Sequence, residues 1–128
     1  MKIVGLGIDL VSVERIRRSL EGLGRSWANK VLVPTELDRA PSWDNAEYVA
    51  QLFAAKEACS KALGTGMTKG VHWRCIEIEL PGKARFSGGA LRRMNAVAGK
   101  GYQGLIVIDS FCKEGLAGAS AILFAVTR

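Results

Sequence analysis

The sequence predicts an α+β fold, and three observations carry that expectation. An apolar segment of strand type lies at residues 3–11, a helical stripe runs over about 45–63, and two further apolar runs follow at 105–108 and 119–126. With the segments between them, the order is strand, helices, strand, helix, two strands, which suits α+β rather than a doubly wound sheet. A chain of 128 residues, 48% of them hydrophobic, is expected to form one domain, 1–128, around a modest core.

Isoleucine, valine and leucine dominate Ile3-Val4-Gly5-Leu6-Gly7-Ile8-Asp9-Leu10-Val11, the composition of a buried strand. A carboxylate in such a strand needs a hydrogen-bond donor or a cation, so Asp9 is a costly residue. Either Ser12 or Asp9 can close the N-terminus of the helix that begins near Val13. Val13, Ile16, Leu20 and Leu23 recur at helical spacing with Arg15, Arg18 and Glu21 on other faces, giving an amphipathic helix with a basic side. Gly22 and Gly24 are expected to break it. Trp27, Val31 and Leu32 form a short apolar group before Pro34, and residues 35–38 read as a helical turn capped by Thr35.

Residues 41–45 are the clearest loop, and Asp44 or Asn45 can cap the long helix after it. Val49, Leu52, Ala55, Cys59 and Leu63 give that helix its apolar stripe; Phe53 lies beside it, which puts Glu57 at the edge of buried surface. Phe53, Glu57 and Lys61 stack four apart, so an acid and a base meet beside an aromatic ring. Gly64-Thr65-Gly66 suits a helix stop, because glycine takes the left-handed conformation at little cost, and its amides are candidates to approach a phosphate. Residues 73–80 alternate as a strand with Cys75, Glu77 and Glu79 on one side and Ile76, Ile78 and Leu80 on the other. A turn at 81–83, a short return strand from Ala84 and an amphipathic helix over 88–99 follow. The two last apolar runs, joined through 110–115, suit paired strands in the middle of a sheet.

The net charge of +6 and pI near 9.6 call for an acidic partner or a phosphorylated ligand. Nucleic acid is a rival reading, but no aromatic residues interleave with the arginines to stack on bases. Cys59, Cys75 and Cys112 have no metal-ligand spacing and an odd count, so reduced thiols and a cytoplasmic setting are expected. No signal peptide and no run of transmembrane length is read. Gly5-Leu6-Gly7 lacks the third glycine of a dinucleotide fingerprint. His72, the one histidine, reads as a surface residue.

Residues 5–11, Arg15-Ile16, Thr35-Glu36-Leu37 and above all Phe53-Ala54-Ala55-Lys56-Glu57-Ala58 with Lys61-Ala62-Leu63-Gly64-Thr65-Gly66 resemble the holo-[acyl-carrier-protein] synthases. These are small 4′-phosphopantetheinyl transferases, and the resemblance spans almost the whole chain. It implies a small antiparallel sheet packed with one long and several short helices, with Ile76-Glu77-Ile78 as the central strand, assembled as a homotrimer. It implies transfer of the phosphopantetheine arm of coenzyme A to a serine of apo acyl carrier protein, with release of adenosine 3′,5′-bisphosphate. Mg²⁺ is implied, with Asp9 and Glu57 as its ligands, a role that suits hard carboxylate oxygens. Lys61 would meet a phosphate oxygen, and Gly64, Thr65 and Gly66 would admit the nucleotide. Glu57 or a metal-ordered water would take the serine proton. Arg15, Arg18 and Arg25, with Trp27 as an apolar anchor, would dock the acidic carrier; neither nucleic acid nor membrane is expected as a partner.

Three positions depart from the family pattern. Leu52 stands where arginine is usual, residues 108–112 lack the usual histidine, and Lys83-Ala84 replaces Lys-Pro. The missing arginine and histidine are expected to weaken coenzyme A binding rather than abolish the chemistry, and the change at Ala84 is a smaller, conformational one. The alternative reading is a scaffold that binds the carrier or coenzyme A with little transfer.

Overall fold

The computed structural model describes residues 1–128. Strand β1 (Lys2–Ser12) leads into four helices, α1 (Val13–Leu23), α2 (Arg25–Val31), α3 (Pro34–Arg39) and the long α4 (Ala46–Ala62). A hairpin of β2 (Ile76–Glu79) and β3 (Lys83–Phe86), helix α5 (Gly88–Ala98), and strands β4 (Tyr102–Lys113) and β5 (Leu116–Thr127) complete the chain. The main sheet is antiparallel in the order β1-β5-β4, and β2 and β3 form a separate two-stranded sheet. This is the expected α+β architecture.

Side-chain alternation along β1 decides what the strand can do. Gly5, Gly7, Asp9 and Val11 face α4, while Leu6, Ile8 and Leu10 face outward. A Cβ at Gly5 would collide with the Ala62 carbonyl, and one at Gly7 with that of Ala58. The two glycines therefore let α4 lie directly on the strand. The same pleat turns Asp9, two residues on, toward that helix.

Helix α4 is the centre of the core. Val49, Leu52, Ala55, Cys59 and Leu63 are all buried, and the helix packs on β1, β4, β5, α1 and β2. Burial pushes the Cys59 thiol up to about 12, so this sulfur behaves as a small apolar group. Asn45 caps α4 by accepting from the Tyr48 amide at 3.0 Å, and Ser12 caps α1 by accepting from Arg15 N at 3.3 Å.

Several expectations need correction. The first strand is buried on one face only: Leu6 is 61% and Ile8 67% exposed. Leu23 is exposed, and Gly22 sits inside α1, so Gly24 alone ends that helix. Helix α3 begins at Pro34 with Val33 as its cap; Thr35 instead donates to Glu77 at 2.9 Å. Residues 73–75 form a 3₁₀ turn, which delays the strand to Ile76. Ile76-Glu77-Ile78 lies in the small hairpin; β5 is the central strand of the main sheet. Strands β4 and β5 run on through most of 110–115, leaving Glu114 and Gly115 as their link.

Candidate functional site

The exposed cleft beside α4 has a volume of about 410 Å³ and is lined by Asp9, Leu10, Val11, Arg15, Ile16, Ser19, Trp27, Phe53, Glu57 and Trp73. Three aromatic rings form one wall. Phe53 stands between Trp27, at 6.1 Å between ring centroids, and Trp73, at 5.9 Å. Both pairs are near parallel, an arrangement in which rings attract one another beyond simple burial. Phe53 comes from the exposed side of the α4 stripe, Trp27 from α2, and Trp73 from the 3₁₀ turn.

Two carboxylates, Asp9 and Glu57, line the same cleft, and an ammonium is bound to the first of them. Lys61 Nζ donates to Asp9 Oδ1 at 3.0 Å and to the Ile8 carbonyl at 3.0 Å. The expected Glu57–Lys61 pair does not form, because the close approach of β1 brings Asp9 within reach of the lysine. Glu57 instead accepts from the Trp73 indole, Nε1 to Oε1 at 3.1 Å. Its Oε2 takes no hydrogen bond from the protein. Burial and then the charge of Asp9 raise the Glu57 carboxyl above its ordinary value, opposed by the indole hydrogen bond, Lys61 and Arg15.

Asp9 and Glu57 place two like charges on one cleft, one of them paired with Lys61, and a cation bound between them would relieve their repulsion. A site of two carboxylates with open positions suits Mg²⁺, which keeps several waters and takes phosphate oxygens. No group of three or more His, Cys, Asp or Glu side chains that could hold a metal ion is present, so these two carboxylates are all the cleft's side chains would offer one.

A buried pair that the sequence reading passed over holds this site in place. Lys56 and Glu36 are both 0% exposed and pair at 2.7 Å. Lys56 Nζ also donates to the carbonyls of Val31 at 2.6 Å and Trp73 at 3.1 Å; Glu36 accepts from the amides of Val33 and Ile78. Adjacent residues of α4 thus grip both ends of Trp73, Lys56 its carbonyl and Glu57 its indole. Position 56 falls at helical spacing between Leu52 and Cys59, so the stripe already marked that lysine as buried. No local signal announced Trp73.

The other candidates scatter. Arg15 lines the cleft with Trp27, whereas Arg18 is exposed and pairs loosely with Glu14 at 3.7 Å, and Arg25 lies 5.7 Å over the Trp43 ring. Gly64 (φ 82°) and Gly66 (φ 62°) end α4 in the left-handed conformation. Their amides are already donated to the carbonyls of Lys61 and Ser60, so what they offer a ligand is close approach rather than free N–H groups. Leu52, at the position of the usual arginine, is fully buried in the core and faces no cleft. Phe111 stands exposed on the outer sheet face, beside a shallow cleft of about 330 Å³ that shares Asp9 and Leu10 with the first. His72 Nε2 lies 3.1 Å from Cys75 Sγ, behind the 3₁₀ turn.

The family model of the 4′-phosphopantetheinyl transferase superfamily matches residues 5–105. A holo-[acyl-carrier-protein] synthase of Xanthobacter autotrophicus is 40% identical, over 98% of this chain and 97% of its own. The crystal structure of the Neisseria meningitidis holo-[acyl-carrier-protein] synthase superposes with a TM-score of 0.77 at 32% identity, covering 96% of this chain and 99% of that one. The Helicobacter pylori synthase, solved in complex with coenzyme A, gives 0.79 at 26% identity, covering 93% and 99%.

Proposed function

The chain belongs to the 4′-phosphopantetheinyl transferase superfamily, and from that premise we propose that it carries out the holo-[acyl-carrier-protein] synthase reaction. The 4′-phosphopantetheine arm of coenzyme A passes to a serine of apo acyl carrier protein, and adenosine 3′,5′-bisphosphate leaves. The observation that carries this reading is the meeting of Asp9 and Glu57, from two elements, on one aromatic-walled cleft, with Lys61 bound to Asp9.

Asp9 and Glu57 are the residues that would hold Mg²⁺. Bound there, the ion would neutralise charge on the pyrophosphate of coenzyme A. Lys61 keeps the Asp9 carboxylate oriented and carries a positive charge to the phosphate end of the site. With one Glu57 oxygen on the Trp73 indole, Oε2 is the oxygen that would face the cation, and Glu57 or a water ordered there would take the serine proton. Trp73 holds the other oxygen still. Most of the rate then comes from placement and electrostatics, as phosphoryl transfer requires.

An acidic carrier suits the cleft rim. Arg15 and Trp27 line the cleft, and Arg18 on α1 and Arg25 on α2, which lie outside it, would add positive charge for the carrier. This reading also has the chain act as a homotrimer, supported by the apolar outer face of the sheet. No helix is long and apolar enough to cross a membrane.

The test is intact-mass spectrometry of an apo acyl carrier protein incubated with the protein, coenzyme A and Mg²⁺, beside a chelated control and Glu57→Ala. A gain of one phosphopantetheine is expected, abolished by the chelator and slowed by roughly 10²-fold or more in the variant. Binding of carrier without any mass gain, over several carriers, would replace this reading with the scaffold.

A further inference from the structure

We propose that Arg93 is a phosphate-binding residue for the nucleotide end of coenzyme A, presented by α5 across the Gly64-Thr65-Gly66 turn. The inference rests on the transferase reading above and adds a residue that no motif singled out.

Arg93 Nε donates to the Leu63 carbonyl at 2.8 Å, at the C-terminus of α4. That bond fixes the guanidinium over the turn, and its Nη2 would lie 3.3 Å from a Cβ at Gly64. The Nη groups make no hydrogen bond and no ion pair within the protein. An arginine anchored through Nε with its fork free is arranged to take an oxyanion in two parallel hydrogen bonds. A side chain at Gly64 would crowd this space and its φ of 82° would strain one, so glycine keeps the approach open.

Charge along the chain points the same way. Residues 58–76 and 80–108 contain no acidic side chain, while Lys61 and Lys69 flank the turn in sequence and Arg92 and Arg93 are on α5. An anion arriving there meets no fixed negative charge from these segments. Lys61 Nζ is turned to Asp9 and the Ile8 carbonyl on β1, so the free fork of Arg93 is the cation that stands at the turn itself. With the Gly64 and Gly66 amides already spent within the turn, a side chain has to supply the donors that these amides cannot. Leu52 supplies none, being buried.

Isothermal titration of adenosine 3′,5′-bisphosphate into the parent protein, Arg93→Gln and Arg93→Lys tests the assignment. Arg93→Gln is expected to weaken binding by roughly 10- to 100-fold, and Arg93→Lys, which keeps the charge but not the fork, by less. Thermal melting of the unliganded variants reports the separate loss of the bond to Leu63. Steady-state kinetics then place the phosphate: a rise in KM confined to coenzyme A and absent with dephospho-coenzyme A assigns Arg93 to the 3′-phosphate, and an equal rise with both assigns it to the pyrophosphate. Unchanged affinity in Arg93→Gln, while the parent binds, would overturn the inference and leave the transferase reading standing. A parent that binds neither the bisphosphate nor coenzyme A would remove both.

Discussion

Glu57 is a carboxylate kept where its charge is costly. Burial and the Asp9 charge raise its pKa, so the folded chain binds this proton more tightly than the unfolded chain does. Its contribution to stability is therefore full below the ordinary carboxylate value and is lost as the pH rises through the raised one. Glu57→Gln retains an oxygen for the Trp73 indole and removes the charge. In metal-free buffer at neutral pH it is expected to melt about 2 °C above the parent, with the difference closing as the parent carboxyl protonates in acid. Thermal scans across pH check this, and a variant that melts below the parent at neutral pH would contradict the sign. Trp73→Phe makes a second, independent case. The ring against Phe53 stays, but the hydrogen bond that lowers the Glu57 pKa goes, so the acid limb of the activity profile moves to higher pH. A kcat/KM profile in which that limb does not move would show that the indole leaves the carboxyl's titration alone.

The elements around the site are joined by one buried ammonium. Lys56 ties the end of α2, the start of α3, α4 and the 3₁₀ turn through Val31, Glu36 and Trp73, and Glu36 extends the tie to β2 through Ile78. Burial lowers the Lys56 pKa and Glu36 opposes the shift, so each charge is tolerated because the other is there. Lys56→Met strands a buried carboxylate and is expected to cost about 3–5 kcal/mol in urea denaturation. Adding Glu36→Gln to it should recover part of the loss, since the remaining amide donors then face a neutral side chain; a double variant no better than the single would deny the coupling. These elements also show which parts of the chain were legible. The period of 3.6 along α4 and the glycine stop after it are local chemistry and read straight from the residues, which also narrow each cap to two candidates, Ser12 or Asp9 and Asp44 or Asn45. Short-range patterns cannot show that Lys61 turns to Asp9, because that contact depends on how closely a strand fifty residues away approaches the helix. For the same reason Trp73 was read as strand: its place under Lys56 and Glu57 is set by tertiary contacts, which override the alternation around it.

At the scale of the molecule, the apolar residues of β1 that the sequence marked as buried line up with partners across the sheet. Ile3 lies opposite Phe124, which lies opposite Leu105; Leu6, Ile122 and Val107 make the next row; Leu10, Gly118 and Phe111 make another. Gly118 has no side chain, and the Phe111 ring lies over it. Between these rows sits a polar one, Ile8, Ser120 and Asp109, level with the Asp9 cleft. A face of this composition on a chain of 128 residues is more apolar than a solitary protomer usually leaves in water. In the protomer this face of β1 is exposed, against the reading of its composition as a buried strand, and the proposed homotrimer would be what covers it. Leu6→Lys tests that proposal without touching the core, because Leu6 points away from α4 and is exposed in the protomer. In sedimentation the parent is expected at the mass of three chains and the variant at that of one, with unchanged far-ultraviolet circular dichroism. If the cleft is completed by a neighbour, transfer falls in the variant and returns at higher protein concentration, because the lysine weakens assembly without altering Asp9, Glu57 or Lys61. A monomeric parent with full activity would mean that the apolar rows serve something other than assembly of this chain with itself.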